Sequence, residues 1–184
     1  MKIILLFTAL RFFHYFLDIS RDLIYNISTE GLHSEFNPRG AIAMIQIIAG
    51  GKGKGKTKIL LDKVNADVHT AKGSLVYLDK NTKHMYELNN KVRLISVTDY
   101  LVEGPEGFLG FVSGIISQDH DLEKVFLDGF LNIAGLEGTD RDVLPVFKKL
   151  EIISAKFNVD FIISVSIEPS QIPEEFKDKI IAAL

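Results

Sequence analysis

The chain has 184 residues, 47% of them hydrophobic and 24% charged, with a formal net charge of −3. That length and apolar share support one domain with an ample core, and the acidic balance argues against a dedicated nucleic-acid binder, which is normally basic. The absence of cysteine excludes disulfides, zinc–thiolate sites and thiol nucleophiles. The five histidines, His14, His33, His69, His84 and His120, show no H-x-x-x-H or H-E-x-x-H spacing and read as surface or helix-end residues.

Ile3 to Leu17 is apolar and aromatic but interrupted by Arg11 and His14. It is shorter than the ~20 residues a spanning helix needs, and no small-x-small cleavage site follows it. Residues 1–43 therefore read as an N-terminal extension with three alternatives: a membrane-associated anchor, an extra helix, or leader upstream of a natural start at Met44. The start-site reading is preferred, because Met44 opens the first strand and Arg39-Gly40 can encode a purine-rich ribosome-binding sequence just before it. A cytoplasmic location is expected, with membrane association only if residues 1–43 are translated.

Ala41 to Ala49 is a short apolar, β-branched run that predicts a strand. It leads into Gly50-Gly51-Lys52-Gly53-Lys54-Gly55-Lys56-Thr57, which fits G-x-x-x-x-G-K-[ST], the phosphate-binding loop of P-loop NTPases. Such glycines let the backbone curl until several N–H groups point at one spot. Lys56 is then placed to reach the outer phosphates and the Thr57 hydroxyl to ligate Mg²⁺. Ile59, Leu60, Leu61 and Val64 give the following segment helical spacing. The bland alternative is a Gly/Lys-rich surface turn, and the strand before and helix after the loop speak against it.

Ser74 to Asp79 predicts a second strand, Val92 to Val97 a third, Glu123 to Asp128 a fourth and Asp160 to Ser166 a fifth. Lys80 to Asn90 reads as polar turns with a short helix around His84 to Leu88. A helix opens at Gly104-Pro105-Glu106, and its Gly107, Gly110 and Gly114 imply close approach of a neighbouring element. Thr139 or Asp140 is expected to cap a helix containing Pro145 in its first turns, with Val143, Leu144, Phe147, Leu150 and Ile153 on its core face. Pro173 is expected to open a last helix bearing Phe176, Ile180 and Ile181. Alternating strands and helices, with near-continuous apolar strands, predict an α/β fold: three layers around a five-stranded, mainly parallel sheet.

In such sheets ligands bind at the carboxyl ends of the strands, where Asp79, Asp99 and Asp128 stand. Val125-Phe126-Leu127-Asp128 has the apolar-run-then-Asp pattern of a Walker B motif, which makes Asp128 the Mg²⁺-linked carboxylate. Val76-Tyr77-Leu78-Asp79 repeats the pattern locally. Together these stretches make 44–184 resemble the P-loop NTPases of the RecA-like, additional-strand group. That resemblance implies a spatial strand order of 5-1-4-3-2, ATP and Mg²⁺ as cofactors, and a carboxylate that polarises the attacking water. The usual Glu beside the Walker B Asp is replaced by Gly129, and Asp79 resembles the alternative carboxylate after strand two. Ser164 and Ser166 are either γ-phosphate sensors or ordinary strand-end serines. Small bacterial ATP-binding proteins of this kind sometimes carry a twitching-motility ATPase-like label, but the chain lacks that family's extra domain and its acidic and histidine boxes. The deviant loop of partitioning ATPases would need Lys at Gly51, and Lys52 is one place off.

The expected site thus comprises the loop from Gly50 to Thr57 with Ser164 for the nucleotide, Thr57 and Asp128 for the metal, and Lys56, Asp128 and Asp79 for catalysis. Arg93 and Arg141 are the sole arginines after Met44; Arg141 is either a residue acting across a subunit interface or a solvated helix start. The expected function is Mg²⁺-dependent ATP binding with slow hydrolysis, completed by a protein partner or homo-oligomer. A small-molecule or nucleotide kinase and a non-hydrolysing ATP sensor are the alternatives. No guanine-type N-K-x-D is evident, since Asn90-Lys91-Val92-Arg93 lacks the Asp.

Overall fold

The computed structural model describes residues 44–138 and 142–184. The expectations for residues 1–43, for a cap at Thr139 or Asp140 and for Arg141 lie outside the described residues. No described helix is long and apolar enough to cross a membrane.

The described elements are β1 (Ile45–Ala49), α1 (Lys56–Asp67), β2 (Ser74–Asp79), β3 (Val92–Ser96), α2 (Gly104–Gln118), β4 (Leu122–Leu127), α3 (Phe130–Ile133), α4 (Leu144–Phe157), β5 (Asp160–Val165) and β6 (Ile180–Ala183), with 3₁₀ turns at Val97–Asp99, Pro169–Gln171 and Glu174–Lys179. All strand pairs are parallel, in the order β3-β2-β4-β5-β1-β6. The pleat divides the apolar strands between two cores, since successive side chains point to opposite faces. Val76, Leu78, Val125, Leu127, Phe161 and Ile163 pack with α2 and α4, while Leu75, Tyr77, Phe126, Ile48 and Ile162 pack with α1. A strand buried on both faces must be apolar at every position, which is why these runs are continuous rather than alternating.

The α/β three-layer architecture is the RecA-like P-loop fold, with six strands among the described residues where five were expected. The predicted last helix is instead the 3₁₀ turn Glu174–Lys179 followed by β6, which pairs with β1. Ile180-Ile181-Ala182-Ala183 alternates half-buried and exposed positions, a two-residue period over four residues that is too short to distinguish from a helical turn by pattern. The order 5-1-4-3-2 is corrected with it. The strand separating β1 from the Asp128 strand β4 is β5, and β3 lies at the edge beyond β2.

Two local expectations also change, and one short element was not expected. The stretch from His84 to Leu88 forms turns rather than a helix; its backbone is tied to α1 by Asn65, which donates to the Glu87 carbonyl and accepts from Asn89 N–H, both at 2.8 Å. Gly110 and Gly114 face open space, so no close neighbour explains them. The close approach lies elsewhere: a Cβ on Gly135 would come within 2.7 Å of the Gly104 Cα. Finally, α3 has no sequence pattern of its own, since four residues cannot show a helical period.

Candidate functional site

β1 ends at Ala49 and α1 begins at Lys56, so the glycine-rich loop bridges a strand end and a helix N-terminus. Gly53 and Gly55 hold φ values of +81° and +88°, the left-handed region that side chains with a Cβ rarely adopt. A Cβ at either glycine would meet nothing within 4 Å, so backbone conformation rather than crowding requires glycine there. The Lys56 ammonium folds across the loop and donates to the Gly51 carbonyl at 2.6 Å. Burial pulls the Lys56 pKa below its ordinary value, opposed by the nearby Asp128 and Glu168 carboxylates.

Asp128 stands one residue beyond β4, and its Oδ1 accepts from Thr57 Oγ1 at 3.1 Å, from Ser164 Oγ at 2.6 Å and from its neighbour Gly129 N–H at 3.0 Å. Ser164 in turn accepts from Gly129 N–H at 2.9 Å. The loop, β4 and β5 are thereby joined through one carboxylate oxygen. A hydroxyl beside a fixed carboxylate is a donor set that suits Mg²⁺, a cation that takes oxygen ligands and retains several waters. Thr57 and Asp128 therefore fit the expected metal. Ser164 is 1% exposed, and its hydroxyl is engaged by Asp128 and Gly129 while the residue also lines the cleft described next.

A cleft of about 780 Å³ opens over these groups, within the usual range for small-molecule sites. Gly51, Lys52, Gly53, Gly55, Lys56 and Thr57 line it, with Asp79, Asp128, Gly129, Ser164 and Ser166 from the strand ends. Gly50 and Lys54 belong to the loop but are outside this lining. Asp99 is exposed beyond β3 and is not part of it. Arg93 is directed elsewhere, donating to Gln118 at 3.2 Å.

The sequence reading missed Lys80, Lys83, Asn132, Glu137, Glu168 and Gln171, which also line the cleft. Lys80 directly follows Asp79 and could have been weighed as a phosphate contact; the others come from loops with no motif. Asp79 is 4% exposed, accepts from the Lys80 N–H at 2.6 Å, and has its pKa raised by burial and then by Asp128. The wholly buried Tyr77 hydroxyl lies below these groups, and burial together with Asp128 and Asp79 holds its proton firmly in place. His84, read from sequence as a surface or helix-end residue, has a side chain only 14% exposed and joins Asp79 and Asp128 in one cluster.

No protein-family model matches the chain, and no curated protein matches it. Among solved structures it is similar to the KaiC-like protein PH0186 from the hyperthermophilic archaeon Pyrococcus horikoshii OT3, at 17% identity and a TM-score of 0.52, over 73% of this chain and 69% of that one. The flagellar accessory protein FlaH from Methanocaldococcus jannaschii matches at 16% identity and a TM-score of 0.46, over 72% of this chain and 64% of that one, less than two thirds of its length. At such identity the likeness to PH0186 is one of fold, and it agrees with the RecA-like P-loop architecture built from the strands upward.

Proposed function

We propose that the chain binds ATP with Mg²⁺ at the Gly50–Thr57 loop and hydrolyses it slowly, in a cycle completed by a protein partner or by further copies of the chain. The observation that carries this reading is the Thr57–Asp128 hydrogen bond at 3.1 Å. It brings the last residue of the phosphate-loop motif to the carboxylate of a strand two places away in the sheet, which a decorative Gly/Lys turn has no reason to do. The placement of β5 between β1 and β4 favours the additional-strand group. The active unit is residues 44–184, with 1–43 as an extension, and its setting is the cytoplasm.

In this reading the loop N–H groups and Lys56 hold the outer phosphates, with Lys52 at the rim. Thr57 and Asp128 position the metal, which when bound supplies charge neutralisation between those phosphates. Asp79, in the cleft wall, orients the attacking water and accepts its proton. Lys80 and Lys83 stand on the side of Asp79 and offset charge that develops on the transferred group.

Gly129 supports a second reading, a nucleotide sensor without turnover. It holds φ +60° at the start of α3, so the place beside Asp128 has a left-handed backbone that disfavours the usual Glu. Hydrolysis then depends on Asp79 alone among the strand-end carboxylates. Kinase chemistry has less support, because no described arginine lines the cleft.

The test is calorimetric titration of the full chain with ATP and Mg²⁺, beside Lys56→Ala. Affinity is expected to fall by about a hundredfold or more in the variant, as expected for loss of a charge-assisted phosphate contact. Equal affinity in both proteins overturns the assignment. Phosphate release at high protein concentration then separates slow turnover from sensing.

A further inference from the structure

We propose that Asp79, His84 and Asp128 form a site for one first-row divalent transition ion, held by two carboxylates and one imidazole behind the phosphate-facing cleft. One ligand atom from each of the three lies within 4.8 Å of the others. Asp79 and Asp128 come from the adjacent strand ends of β2 and β4, and His84 is brought to them by the turns that follow β2.

Two independent observations show a demand for a ligand there. Asp79 is only 4% exposed, and its Oδ2 is sealed from solvent with no hydrogen-bond partner among the described residues. The same holds for His84 Nε2. Buried acceptors without donors are strongly disfavoured in a folded protein, and a cation among them satisfies both together.

The imidazole is also prepared as a metal ligand. His84 Nδ1 lies 2.6 Å from Glu87 Oε1, so Glu87 accepts the proton of that nitrogen and leaves the Nε2 lone pair available. Metal-bound histidines characteristically have such a carboxylate on the far ring nitrogen. Asn65 holds the Glu87 carbonyl and Asn89 N–H at 2.8 Å each, which anchors the turns on α1. Three ligand atoms around one ion at ~2.0–2.2 Å stand about 3.3–3.8 Å apart, so side chains whose ligand atoms already lie within 4.8 Å of one another close on an ion with adjustments on the order of 1 Å.

The donor set states which ions fit. Mg²⁺ and Ca²⁺ prefer all-oxygen shells, whereas an imidazole with two carboxylates suits Mn²⁺, Fe²⁺, Co²⁺ or Zn²⁺. His84 is absent from the cleft lining while Asp79 and Asp128 line it, so the ion lies on the protein side of the two carboxylates. Asp79 and Asp128 are both shared with the nucleotide reading, but the site needs no phosphate and forms without one.

The experiment is a Co²⁺ titration of the metal-stripped, nucleotide-free full chain, followed by its d–d absorption and by calorimetry, with Mg²⁺ as competitor. One equivalent is expected to bind, with affinity reduced at least tenfold in His84→Ala and in Asp79→Asn. His69→Ala and His120→Ala should leave it unchanged, and Lys56→Ala should still bind one equivalent. Retained metal binding in Lys56→Ala, whatever happens to ATP, keeps this site distinct from the nucleotide reading. No saturable 1:1 binding, equal affinity in His84→Ala, or displacement by Mg²⁺ at equal concentration overturns the proposal and assigns the sealed atoms to buried water. Should His84→Ala not fold, Mn²⁺ electron spin-echo spectroscopy of a chain with His14, His33, His69 and His120 replaced by alanine decides it. Imidazole nitrogen coupling supports the site, and its absence overturns it.

Discussion

Ser164 donates its hydroxyl to Asp128 across the neighbouring strands β5 and β4 at 2.6 Å, the shortest of the three hydrogen bonds on that oxygen. The serine therefore positions the carboxylate that Thr57 also reaches. Ser164→Ala should cost about 1 kcal/mol in chemical denaturation, the net worth of one such bond. It should also weaken ATP binding in the presence of Mg²⁺ by up to about tenfold, matching roughly 1.4 kcal/mol, and leave metal-free binding unchanged. Titrations with and without Mg²⁺ check this, and equal loss in both would assign Ser164 to the phosphates instead.

Asp128 itself separates charge from hydrogen bonding. Asp128→Asn retains an oxygen to accept from Thr57, Ser164 and Gly129 and should fold normally, while losing the Mg²⁺ dependence of nucleotide binding. Asp128→Ala removes the acceptor of the Thr57 and Ser164 hydroxyls and should lose a further ~1–3 kcal/mol of stability. Denaturation of the two variants side by side shows whether the second loss exists.

Glycines in and around α2 divide by geometry. Gly110 and Gly114 lie in the helix, and a methyl group added at either would meet nothing within 4 Å, so Gly110→Ala and Gly114→Ala should each stabilise by up to about 1 kcal/mol. Gly135→Ala must place its Cβ 2.7 Å from the Gly104 backbone at φ +64°. It should destabilise by about 2 kcal/mol or more, as strain and overpacking act together. Thermal and urea unfolding provide the comparison, and a neutral Gly135→Ala would contradict the close approach.

Aromatic packing ties the site to the core. Phe108, Phe130, Phe147 and Phe176 form a chain of rings with successive centroids 5.9, 5.3 and 5.2 Å apart. Phe130 follows Gly129 directly, so the chain supports the Asp128 segment from below. Phe130→Ala should lose about 3–5 kcal/mol and, unlike Phe176→Ala, should weaken Mg²⁺-dependent ATP binding in whatever fraction remains folded. A Phe130→Leu variant, with a smaller cavity, allows both readouts if Phe130→Ala does not fold.

Much of the site was legible because its chemistry is local. Gly50 to Thr57 specifies a loop by the backbone angles that only glycine adopts readily and by adjacent residues Lys56 and Thr57, so contiguous spacing carries the information. Apolar runs such as Val125-Phe126-Leu127 likewise announce strands buried on both faces. Misreading was concentrated where few residues or distant partners decide: Ile180 to Ala183 becomes a strand because β1 offers an open edge, and α3 forms because Gly129 turns the chain into the Phe core.

The sequence alone determined the glycine-rich loop between strand and helix, the class of fold and the carboxylates available at strand ends, since periodicity and glycine placement act over a few neighbouring bonds. Only the tertiary structure decided which strands stand side by side, that Ser164 serves Asp128, and that His84 meets Asp79. Those contacts join residues whose separation along the chain has no bearing on their separation in space, and they depend on sheet order and on turns anchored by Asn65.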